Sequence, residues 1–207
     1  GVMYIEKHNA ALEINKDGLL NSYSKSKFVP GAEIFPYKNV LFFLSSLVDE
    51  LGGSTAGYKP QDMRLNMDSG SSSLAPIICY ESIYGEYCTE YSLQGAEILT
   101  ILTNDGWWDN TPGHLQHLDY ARLRAIEQRK PIARAANTGI STFIDPKGNL
   151  INPTEYNEAI AINSEIQPNR ILTFYTRWGD LIGRFALFAV IVLVMQLIAS
   201  FFRKSRL

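Results

Sequence analysis

Residues 75–103, "APIICYESIYGEYCTEYSLQGAEILTILT", decide the fold. The opening "APIICY" is an almost unbroken apolar run, as a strand covered on both faces reads. Ser82 to Leu93 reads as a helix, and "EILTILT", Glu97 to Thr103, as a second buried strand. Strand, helix and strand in succession predict a βαβ unit in a covered sheet, hence an α/β layered domain. Within it, "PIICYES" (Pro76 to Ser82) places Cys79 where the first strand stops. Two readings are open: an inert small hydrophobe, or a nucleophile. A thiolate nucleophile needs an activated thiol, partial exposure and a cation or base nearby. A strand end feeding a helix N-terminus helps with the first two. The cation or base has to come from elsewhere.

Upstream, "ALEI", "NKDG" and "LLNSY" predict two strands around a turn, with Gly18 supplying positive φ. "SKSKFVPGAEIFPY" is a loop by its two prolines and glycine, and it carries Lys25, Lys27 and Glu33. By themselves these lysines read as surface residues. Val40 to Leu51 suits a short helix ending at Gly52-Gly53, and Ser54 to Ser73 reads as a polar loop. Downstream, "TNDGWWDNTPGH" is a loop in which Thr111 caps a helix and Pro112 takes its first position. Leu115, Leu118, Ala121, Ala125 and Ile126 predict its buried face, with Arg122, Glu127 and Arg129 pointing away. "IARAAN" and "STFID" are strands, "DPKG" a type I turn and "NLI" the return strand. His114 and His117 stand three apart but lack a third ligand, so no metal site is predicted.

The 207 residues suit one domain, and 46% hydrophobic content supports a core. With 19 basic against 21 acidic residues, nothing points to nucleic acid. Cys79 and Cys88 have no zinc spacing and form no disulfide framework; a bridge between them would silence Cys79. The start, "GVMYIEKHNAALEI", reads as the middle of a domain, which predicts a chain truncated at its N-terminus. Phe185 to Phe202, "FALFAVIVLVMQLIASFF", is 18 residues without a charge, close to the ~20 that cross a bilayer. The division predicted is a domain over 1–180, a transmembrane helix over 183–202 and a basic tail over 203–207. Arg203, Lys204 and Arg206 place that tail in the cytoplasm, against the weaker opposing signal of Arg177 and Arg184.

Five segments in order, "YSKSKFVPGAEIFP", "ICYESIY", "TNDGWW", "GHLQHLDYARLRAIEQRKPIARAANTGIS" and "RWGD" before the apolar helix, resemble apolipoprotein N-acyltransferases. These are membrane members of the nitrilase, or carbon–nitrogen hydrolase, superfamily. The resemblance implies a nitrilase-like αββα sandwich, incomplete at its N-terminus, and a Glu–Lys–Cys triad. Counting back five residues from Pro30 puts the lysine at Lys25, and the nucleophile maps onto Cys79. Glu33 and Glu81 match acidic residues that would steer Lys25. Tyr80, Trp107 and Trp108 match substrate-side aromatics, and the tryptophans suit either a lipid-facing lid or ordinary packing. Ala32, Trp108 and Asp109 replace the family's Gly, Phe and Gly.

The general base of the family is a glutamate in a "Pro-Glu" motif several tens of residues before the lysine. Only 24 residues precede Lys25 here, and neither Glu6 nor Glu13 sits in such a motif. The implied reaction uses no cofactor. It moves an acyl chain from a phospholipid to the cysteine, then to the N-terminal amine of a diacylglyceryl-cysteine lipoprotein, on the periplasmic side of a bacterial inner membrane. The alternatives are a nitrilase or amidase acting on a soluble substrate, and a non-catalytic fragment that binds lipid or a partner.

Overall fold

The computed structural model describes residues 7–34 and 58–204. The helix expected over Val40–Leu51 lies outside the described residues. The described chain forms two sheets. A hairpin of β1 (Ala10–Asn15) and β2 (Gly18–Ser24) stands by itself, its turn closed at Gly18 with φ 125°. The main sheet has six strands in sequential order: β3 (Met67–Asp68), β4 (Ser73–Ile78), β5 (Ile98–Thr103), β6 (Ile132–Ala136), β7 (Thr142–Ile144) and β8 (Leu150–Ile151). Strands β4, β5 and β6 run parallel, with Ile77 beside Ile101 and Ile101 beside Arg134. Their crossovers are α1 (Gly85–Leu93) and α2 (Pro112–Gln128). β3, β7 and β8 add antiparallel edges.

The predicted βαβ unit therefore exists, and its apolar runs form the core. Ile77, Leu99, Ile101, Ile132 and Ile144 are fully buried, packed with Tyr91, Cys88, Ala121 and Ala125 from the helices. Burial of this kind contributes about 1.5–3 kcal/mol for each large side chain. The strand stops earlier than expected, however. β4 ends at Ile78, and Cys79 turns the chain with φ 50° into a short 3₁₀ helix, Cys79–Ile83. The α-helix begins only at Gly85, not Ser82, so its N-terminus is not the feature next to the thiol.

α2 starts as expected: the Thr111 hydroxyl accepts from the Gly113 N–H, and Pro112 stands where no donor is needed. Its buried face differs from the expected one. His114, His117, Leu118, Ala121, Arg124, Ala125 and Gln128 face inward, while Leu115 and Ile126 are exposed. The face turns because the buried polar groups have partners inside. Gln128 accepts from the Ser92 hydroxyl, and Arg124 donates to the carbonyls of Ser82 and Ile83.

After β8 the chain returns to the helices. α3 (Phe174–Trp178) packs near α1, and α4 (Leu181–Lys204) follows. Its Leu181–Arg203 portion is long and apolar enough to cross a membrane, and the domain covers none of it. Glu86 on α1 ties the junction by accepting from the Asp180 N–H and the Arg184 guanidinium, at 2.7 and 2.8 Å.

Candidate active site

The carboxyl ends of β4 and β5 open on one cleft of about 500 Å³. Cys79, Lys25, Glu33, Tyr58, Asn104 and Trp107 are among the residues lining it. This is where ligands bind in open α/β sheets, beyond the carboxyl ends of parallel strands.

Cys79 is partly exposed and unpaired. A non-glycine residue at φ 50° is uncommon and is kept only where its surroundings impose it. Here the sharp turn lifts the thiol off the sheet. Cys88, by contrast, is fully buried in the core, and burial pushes its thiol up to about 12.

Lys25 follows β2 directly and is 1% exposed. Its ammonium donates to both Glu33 oxygens at 2.8 and 2.7 Å. Glu33 also accepts from the Val29 N–H at 2.8 Å and the Asn9 amide at 3.1 Å. A buried ammonium is tolerated only when so paired, and the pairing fixes where Lys25 points. Lys27, two residues on, points elsewhere. It lies over the rings of Tyr84 and Tyr87 and lines a separate groove beside α4.

Glu81 holds Lys25 less directly than expected. It is fully buried and has no bond to the lysine. It accepts from the N–H groups of Ile78 and Ser26, at 2.8 and 2.7 Å, and from the hydroxyls of Tyr23 and Tyr87, at 2.8 and 2.7 Å. One carboxylate thus joins the strand end before Cys79 to the loop after Lys25. All four donors are neutral, and four such bonds offset the desolvation of the charge.

Burial, and then the charge of Glu81, raise Tyr23 to about 12. A phenol in an unfolded chain titrates near ~10. The stabilisation from Tyr23 is therefore complete below pH ~10 and is lost as the pH rises through about 12. The thermal stability of the protein should fall from about pH 10 upward, and less steeply in Tyr23→Phe. Parallel profiles for the two proteins would rule out this origin.

The aromatic residues separate. Trp107 is 67% exposed and lines the cleft. Trp108 is not among the lining residues. It packs at 5.2 Å against the ring of His117, over a spot at Gly113 that no side chain could share. Tyr80 meets Tyr84 edge to face.

The two histidines have different partners as well. His114 lies against Tyr156, while His117 joins Asp105. Among the described residues no cluster of three or more His, Cys, Asp or Glu could hold a metal ion. Glu13 bonds Asn21 on the hairpin, and Glu6 lies outside the described residues.

Behind Cys79 lies a buried polar group that pattern reading missed. Asp105, fully buried, accepts from Thr103 at 2.8 Å, His117 Nδ1 at 2.8 Å and Arg134 at 2.5 Å. Burial alone would raise its pKa. The bond from His117 and the charge of Arg134 outweigh that and hold it below the usual carboxylate range. Gly139, at φ 130°, backs onto this carboxylate, where an added Cβ would lie 2.7 Å from an Asp105 oxygen. The "TND" following a buried strand, with a histidine twelve residues on, was the available signal.

This arrangement of a thiol facing a buried ammonium–carboxylate pair on an α/β sheet has a known setting. The carbon–nitrogen hydrolase family matches residues 2–173, and the chain belongs to that family. A nitrilase-superfamily protein of Saccharomyces cerevisiae shares the fold at a TM-score of 0.54 and 17% identity, over 73% of this chain and 50% of that one. Among curated sequences the chain is similar to apolipoprotein N-acyltransferases. That of Rhodopseudomonas palustris is 34% identical over 191 residues, 91% of this chain and 35% of the relative. That of Allorhizobium ampelinum is 37% identical over 153 residues, 72% and 28% of the two lengths. The chain spans about a third of the length of these relatives.

Proposed function

We propose that the protein is an acyltransferase that carries an acyl chain from a membrane phospholipid, through a thioester on Cys79, to the N-terminal amine of diacylglyceryl-cysteine lipoproteins. The observation that carries this reading is the apolar α4, uncovered by protein and fastened at Glu86 to the domain holding the cleft. A bilayer supplies the missing cover, and with it a lipid substrate. The names of the curated relatives support the same reaction. In this reading residues 1–180 are the catalytic part, on the periplasmic side of an inner membrane. Residues 183–202 span the membrane, and 203–207 form a cytoplasmic tail.

The chemistry balances in two steps. In the first, Cys79 loses its proton to a base and the sulfur attacks the ester carbonyl. The carbon–oxygen bond breaks, and the lysophospholipid leaves with the proton. In the second, the lipoprotein amine attacks the thioester carbonyl, the carbon–sulfur bond breaks, and an amide forms as the thiol regains a proton. Each step passes through an oxyanion, which Lys25 and the Tyr80 N–H stabilise. Glu33 is the sole carboxylate among the described residues lining the cleft, and its oxygens are already taken. We assign the proton acceptor to a glutamate upstream of these 207 residues, in keeping with relatives about three times as long.

The test uses detergent-solubilised protein, labelled phospholipid and a diacylated lipopeptide. Label should reach the peptide as lysophospholipid is released in equal amount. Ammonia release from a simple amide without label transfer would favour the amidase reading. The 207-residue chain should alkylate at Cys79 yet form no triacylated product, while a chain extended upstream forms it. Equal turnover by both would move the base to Glu13 or Glu6.

A further inference from the structure

The buried group around Asp105 ends on the nucleophile, but at its backbone and not its sulfur. His117 Nε2 lies 3.2 Å from the Cys79 carbonyl oxygen and 3.0 Å from Ser82 Oγ. The Ser82 hydroxyl donates to that same carbonyl at 2.8 Å. His117 is 3% exposed, Ser82 and Asp105 are fully buried, and Arg134 is 3% exposed. Two buried polar side chains, His117 and Ser82, reach one peptide carbonyl, with Asp105 behind His117 and Arg134 behind Asp105, although a backbone carbonyl at a strand end needs a single donor.

We infer that Asp105, His117 and Ser82 act as a positioning relay that aims and polarises the Tyr80 N–H as the oxyanion donor. The peptide between Cys79 and Tyr80 is planar and trans, so its C=O and N–H point in opposite directions. Drawing the Cys79 carbonyl toward His117 and Ser82 turns the Tyr80 N–H away from both. Nδ1 faces an Asp105 oxygen at 2.8 Å and Nε2 faces Ser82 Oγ and the Cys79 carbonyl, so the ring bridges the carboxylate to the peptide. Arg134 holds the other Asp105 oxygen. Hydrogen bonding at the carbonyl, with Ser82 as donor, withdraws electron density through the peptide and strengthens its N–H as a donor. The same bonds hold Cys79 at its uncommon φ.

The inference rests on the proposed thioester chemistry only in needing an oxyanion, which ester, amide and phospholipid substrates all form. His117→Ala should lower kcat by about 10–100-fold, below the 10²–10³ of removing an oxyanion donor outright, with KM nearly unchanged. Iodoacetamide should still alkylate Cys79 within about 3-fold of the wild-type rate, because displacement of iodide forms no oxyanion. His117→Gln, whose amide can donate to the same carbonyl, should restore kcat to within about 5-fold, and Ser82→Ala, a milder change, should lower kcat about 5-fold. A merely structural His117 would lose alkylation and turnover together and gain nothing from glutamine; that result, or an unchanged kcat in His117→Ala, overturns the relay. Each protein, made in the chain extended upstream, is assayed on phospholipid and on a soluble activated ester. If the wild type cleaves the ester through Cys79 but transfers nothing from phospholipid, the substrate reading fails and the relay is judged on the ester.

Discussion

In the chain extended upstream, Cys79→Ala should abolish the proposed acyl transfer, a loss on the order of 10⁴-fold or more, while Cys88→Ala keeps most of the activity. The two thiols differ in every property that nucleophilic attack requires. Cys79 lines the cleft, partly exposed, at a turn that lifts it off the sheet. Cys88 is sealed on the inward face of α1, where its sulfur donates to the Glu81 carbonyl at 3.5 Å. With its thiol pushed up to about 12, only about one Cys88 in 10⁵ is ionised at neutral pH. Intact-mass analysis after incubation with phospholipid should find a single acyl adduct, and peptide mapping should place it on Cys79. An adduct on Cys88, or normal turnover by Cys79→Ala, would refute the assignment.

Lys25→Ala should cost on the order of 100-fold or more in kcat, and Lys27→Ala less than about 3-fold. The lysines lie two residues apart but face different cavities. The buried Lys25 ammonium is the only cationic side chain among the described residues lining the cleft, and Glu33 holds it there. Its removal also strips Glu33 of its counter-charge, and breaking such a buried pair costs about 3–5 kcal/mol of stability. Melting curves must therefore accompany the kinetics, with rates measured well below the variant's transition. The reverse ranking of the two variants would shift the catalytic register by two residues.

How much of this was legible depends on the kind of signal. "APIICY" and "EILTILT" announced parallel strands because continuous apolar runs have few other uses. Thr111-Pro112 marked a helix start because their chemistry is specific to that position. The cleft residues Lys25 and Glu33 came from resemblance, since spacing alone left the lysines on the surface, and resemblance chose between the two readings that position left open for Cys79. Cys79's positive φ leaves no trace in periodicity. The inward face of α2 was misread for a related reason. Apolar residues alone chose it, so Leu115 and Ile126 were turned inward, whereas His117, Arg124 and Gln128 are buried by their hydrogen bonds. Arg134 escaped notice likewise, because a charged residue within "IARAAN" becomes a core residue only once Asp105 is known to face it.

The junction at Glu86 leaves no slack between the apolar helix and the chemistry. Glu86 grips the start of α4, and its immediate neighbour, Tyr87, donates to Glu81. One residue therefore separates the contact that anchors α4 from the contact that organises the cleft. A domain on a flexible leash could swivel above its anchor and sample many attitudes. This one is geared to it, so any tilt of α4 must either carry the cleft along as a unit or break the ion pair first.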